Sequence, residues 1–124
     1  MPNIEENTSP NLQMEQPLIF KGAADSPLLA PRGVCLADGK LFVADTGQNR
    51  VFIWHQLPTQ AQCPPDVVLG QVGKAATGRN ANGRVSASSL MYPSGIWSDG
   101  QRLIVADAWN HRVLIWHQLP TEDG

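Results

Sequence analysis

The chain has 124 residues, 42% of them hydrophobic and 16% charged, with 11 Gly, 10 Pro and a formal net charge of −2. That length fits one domain, and a folded chain of this size buries roughly two thirds of the surface its unfolded form exposes. The near-neutral charge excludes a global basic field for nucleic acid or anionic membrane, and Gly and Pro spread between apolar runs favour short strands and turns over helices.

Residues 1–16, MPNIEENTSPNLQMEQ, place acids where a signal peptide needs positive charge and contain no apolar run of the required length. They are expected to form a disordered tail on a soluble, cytoplasmic chain, and nothing elsewhere approaches the roughly 18 apolar residues of a membrane span. A short strand is expected at PLIFKG, 17–22. The stretch PRGVCLADGKLFVADTGQNRVFIWHQLPT, 31–59, recurs without a gap as PSGIWSDGQRLIVADAWNHRVLIWHQLPT, 93–121, and the two share 15 identical positions.

Each copy has the punctuation of an antiparallel meander: a strand after Pro-x-Gly, a turn with Asp-Gly, a strand ending in Asp, a polar turn, and a strand opening with Arg. Asp38-Gly39 and Asp99-Gly100 are displaced by one place between the copies, which a different loop length or a bulge would absorb. Between the copies, DVVLGQ (66–71) is expected to be a strand that precedes the second copy as PLIFKG precedes the first. The stretch 72–90, VGKAATGRNANGRVSASSL, is expected to be a polar, flexible excursion. Four strands in each of two units, 17–59 and 66–121, account for most of the chain; 122–124 is a tail.

Val51-Phe52-Ile53-Trp54 and Leu103-Ile104-Val105-Ala106 do not alternate apolar with polar, so these strands are expected to be covered on both faces. Four-stranded meanders covered on both faces suit the blades of a β-propeller, where each blade packs on a neighbour to either side. The fold class is therefore all-β, with two four-stranded antiparallel blades. Isolated repeats expose an apolar face at each end, so an incomplete ring is expected unless the chain oligomerises.

VADTGQNRV (43–51) and VADAWNHRV (105–113) resemble the NHL repeat, whose blades in a six-bladed propeller look like P-x-G-V-x-x-D-x-x-G-x-L-Y-V-A-D-T-x-N-N-R-V. The long spacing and DVVLGQ are similar to a long-repeat bacterial form. The resemblance implies a non-catalytic scaffold for protein–protein interaction. Its partners would be other proteins or further copies of itself, three chains closing six blades, and the chain's stop at LPTEDG suits a piece of a longer array.

Asp45 with Arg50, and Asp107 with Arg112, flank their turns as facing neighbours and are expected to act as structural clasps; Trp54 and Trp116 are read as framework. Lys74, Arg79, Arg84, Trp109 and His111 form the candidate interaction surface, set on turns and the linker. No catalytic residue, metal or cofactor is assigned: GxSxG, P-loop and HExxH patterns are missing, and His55 and His117 have no partner at ligand spacing. Cys35 and Cys63 stand in unrelated contexts and read as idle thiols. The alternatives are a metal-dependent hydrolase or lyase assembled from several chains, as in some relatives of the fold, and RNA binding through the three basic linker residues, a weak signal without an aromatic for base stacking.

Overall fold

The computed structural model describes residues 16–124; the tail expected over 1–16 lies, except for Gln16, outside the described residues. Among these residues there is no α-helix, and the strands form antiparallel sheets of two, four and three strands, an arrangement compatible with a fragment of a β-propeller. β1 (Gly22–Ala23) and β2 (Ser26–Pro27) make a minimal hairpin. The first large sheet runs in order through β3 (Gly33–Ala37), β4 (Lys40–Asp45), β5 (Arg50–Trp54) and β6 (Val67–Leu69). The second comprises β7 (Ile96–Ser98), β8 (Leu103–Asp107) and β9 (Arg112–Trp116).

Two expectations about the strands are corrected. The strand at 66–71 does not open the second unit: Val67, Val68 and Leu69 pair with Ile53, Phe52 and Val51, so it closes the first sheet. Antiparallel pairing with the preceding strand needs only the loop 55–66, whereas pairing ahead would have to span the whole linker. The stretch 17–21 enters no sheet, and the hairpin begins only at Gly22, so the second sheet has three strands among the described residues.

The displaced Asp-Gly turns are resolved by loop length. Ala37 faces Lys40 across Asp38-Gly39, both at positive φ (53° and 73°), as a two-residue hairpin requires. In the second sheet Ser98 faces Leu103, and the loop between them is longer; Ser98 Oγ accepts the Gly100 N–H while Asp99 accepts those of Gln101 and Arg102.

Because every strand pair is in register, side chains sort cleanly to faces. On one face of the first sheet, Phe42, Val51, Ile53, Val67 and Leu69 pack against Leu103 and Val105 of the second sheet, with Leu90 from the linker wedged between and Ile96, Leu114 and Trp116 at the margin. On its other face Leu41, Val43, Phe52, Trp54 and Val68 pack under Phe20, Leu28 and Cys63. The sheets come closest at β3, where a side chain at Gly33 would collide with the Ser94 carbonyl. The linker is exposed over most of its length but anchored at points: Asn80, Ser89 and Leu90 are buried, and Asn80 donates its backbone N–H to the Leu90 carbonyl.

Candidate interaction surface

The paired acid and arginine of each copy build the same clasp twice. Asp45 and Arg50 face each other in register across β4 and β5, as do Asp107 and Arg112 across β8 and β9. Arg50 Nε donates to Asp45 Oδ2 at 2.7 Å, and Arg112 Nε to Asp107 Oδ2 at 2.8 Å. The other carboxylate oxygen accepts an upstream backbone N–H in both cases, from Leu29 to Asp45 at 2.7 Å and from Met91 to Asp107 at 2.8 Å. A side-chain amide from the following turn completes each carboxylate, Gln48 at 3.2 Å and Asn110 at 2.7 Å.

The two arginines differ in their surroundings. Arg50 is buried, and its remaining N–H groups donate to the carbonyls of Pro27, Lys74 and Ala76, while its guanidinium lies 4.4 Å from the centre of the Phe52 ring. Arg112 is about a quarter exposed and donates to the carbonyls of Ser86 and Ser89. Both clasps thus recruit linker carbonyls, which satisfies a desolvated charge with fixed acceptors. Trp54 is buried and its indole donates to the Cys63 carbonyl at 3.0 Å, whereas Trp116 stays half-buried at the junction of the sheets.

The turns that the clasps close are single 3-10 turns, Thr46–Gln48 and Ala108–Asn110, each ending in a left-handed residue, Asn49 (φ 59°) and His111 (φ 57°). Asn tolerates this conformation well, and Asn49 adds a function His111 does not share. Its side chain donates to the Thr77 carbonyl and accepts the Tyr92 N–H at 2.9 Å, tying the linker to the first sheet. This tie, and the linker carbonyls on both arginines, went unread in the sequence, where Asn at the last place of the turn was the only signal.

Of the candidate surface residues, Arg79 and Trp109 come together. They line a cleft of about 550 Å³ with Arg32 and Tyr92, in which Tyr92 meets Trp109 edge-on at 4.8 Å and Arg79 lies 6.0 Å from the Tyr92 ring centre. Lys74, Arg84 and His111 are exposed and do not line it. Among the described residues no three His, Cys, Asp or Glu side chains gather as a metal site would need. No helix there is long and apolar enough to cross a membrane. Asp99, beside the long turn, is held below the usual carboxylate range by the backbone N–H groups of Arg102 and Gln101 and by the Arg102 side chain.

The second sheet leaves a surface that the first covers. β9 has no fourth strand beside it among the described residues, and Trp97, Val113 and Ile115 are exposed by 47%, 58% and 57% on the face turned away from the first sheet. Their counterparts Cys35, Val51 and Ile53 lie in, or against, the core between the sheets. Residues 28–54, from the leucine ahead of the first clasp to the end of β5, match the NHL repeat family. No curated protein matches the chain.

Proposed function

We propose that the chain carrying this NHL repeat is a non-catalytic scaffold for protein–protein interaction, working in the cytoplasm as part of a larger propeller assembly. Residues 90–116, which the duplication aligns with 28–54, are read as a second repeat on the strength of the duplicated clasp. Self-association is the preferred form, three chains contributing two units each.

The open edge of β9, in a sheet of three strands among the described residues, supports this reading. An edge strand with free N–H and C=O groups beside exposed Val113 and Ile115 is a template for another strand, and soluble proteins rarely leave such an edge uncovered. Fully burying a Val or Ile side chain is worth roughly 1.5–3 kcal/mol, so covering this face supplies several kcal/mol toward an interface.

A peptide with the sequence of residues 65–71, PDVVLGQ, should add to β9 as residues 67–69 add to β5. Titration followed by tryptophan fluorescence, with Trp97 on the affected face, should saturate. A scrambled peptide binding equally well, or neither peptide binding, would remove the reading.

A further inference from the structure

The two copies of the repeat meet at the cleft of about 550 Å³, and matched positions of the duplication line it from either side. Ala30 corresponds to Tyr92, and both hold a left-handed backbone, at φ 51° and 50°. For a residue as bulky as Tyr that conformation is uncommon, and it persists only where the surroundings hold it. Here the Asn49 side chain accepts the Tyr92 N–H at 2.9 Å, and the Tyr92 ring stands edge-on to Trp109 at 4.8 Å.

The shared framework carries different chemistry on its two sides. Gly47 corresponds to Trp109, and a Cβ at Gly47 would lie 2.7 Å from the Leu29 carbonyl oxygen, so the first copy keeps its wall free of a side chain there. The second copy's wall is aromatic, with Trp109 60% exposed. Arg32 corresponds to Ser94, so the first copy supplies the charge, joined by Arg79 from the linker.

That charge has no counter-charge in the cleft. The arginines of the ion pairs among the described residues are Arg50, Arg102 and Arg112, whereas Arg32 and Arg79 form none and are exposed. Among the described residues no acid lines the cleft, and the clasp carboxylates of Asp45 and Asp107 are buried against their own arginines. A guanidinium presents parallel N–H donors that match a carboxylate, and an exposed indole offers apolar contact area beside it. Nucleic acid fits less well. Two cations release few counterions, Lys74 and Arg84 do not extend them along the cleft, and the chain as a whole carries a charge of −2.

We propose that the cleft takes an acidic segment of a partner protein, with Arg32 and Arg79 each receiving a carboxylate and the Tyr92–Trp109 wall receiving an apolar side chain of the same segment. This rests on the proposed protein-interaction role, names the chemistry of the partner, and uses a surface apart from the β9 edge.

The hexapeptide acetyl-Glu-Leu-Glu-Glu-Leu-Glu-amide, titrated into the full chain by calorimetry, should bind saturably, and its counterpart with Lys in place of Glu should not. Arg32→Gln and Arg79→Gln should each weaken binding roughly tenfold, Trp109→Ala by a similar factor, and Arg84→Gln, outside the cleft, by less than about twofold. Because Arg32 and Arg79 form no ion pair among the described residues, their variants should fold; where Trp109→Ala does not, the arginine variants decide. An absence of saturable binding, or binding equally strong in both arginine variants, would overturn the proposal. So would a uridine dodecanucleotide that binds where the hexapeptide does not and loses affinity in the same variants, since phosphate would then be the ligand. If the hexapeptide fails while peptide 65–71 binds at β9, the interaction role stands and only the acidic partner of the cleft falls; if both fail, both fall.

Discussion

The two large sheets share the same repeated motif, yet among the described residues the first has four strands and the second three. Both keep the clasp, the left-handed turn residue and the upstream N–H on the carboxylate. What differs is what lies beyond the third strand: β6 covers the edge of β5, and the second sheet itself covers Val51 and Ile53, while β9, Val113 and Ile115 face solvent. Equal sequence thus yields unequal burial, because in a stacked repeat the environment of each residue is set by the neighbouring unit as much as by its own.

The largest expected asymmetry lies in the clasps. Asp45→Ala strands a fully buried guanidinium and should cost about 3–5 kcal/mol, whereas Asp107→Ala leaves Arg112 within reach of water and should cost roughly 1–3 kcal/mol. Urea denaturation of the two variants measures the difference, and equal losses would break the comparison. Leu90 is next: buried in the cluster between the sheets, it should lose about 2–5 kcal/mol on truncation to Ala, and Leu28, only partly buried and with no second sheet over it among the described residues, clearly less. Ile53→Val should cost roughly 0.5–1.5 kcal/mol and Ile115→Val within about 0.5 kcal/mol of nothing in the unassociated chain.

The smallest effect belongs to Asp99, whose pKa in the folded chain is depressed. Its contribution to stability is complete above the ordinary carboxylate range and is lost as pH falls through the lower folded value. Thermal melts of Asp99→Asn should be flatter between neutral and acid pH than those of the parent chain, while parallel slopes would deny the turn this role.

Much of this was legible because the information was local. The repeat, the alternation-free strands and the facing Asp45–Arg50 and Asp107–Arg112 pairs are all properties of residues within one hairpin. Which strand Val67–Leu69 joins was not legible, since an apolar triplet suits the edge of either sheet and only chain length between them decides. Nor were the acceptors on Arg50 and Arg112: they are backbone carbonyls of Lys74, Ala76, Ser86 and Ser89, and a carbonyl leaves no mark in residue identity. The linker's Gly, Ser and Asn content read as flexibility for that reason, although its backbone closes both clasps. For Lys74, Arg79 and Arg84 charge alone was visible, and the geometry separates Arg79, in the cleft with Trp109, from the other two.

The proposed self-association through the edge and outer face of the second sheet is tested most directly by hydrogen exchange. The amides on the free edge of β9 should exchange quickly in dilute protein and become protected as concentration rises, while those of β5 facing β6 stay protected throughout. Fast exchange at β9 at every concentration, with β5 protected, would contradict it.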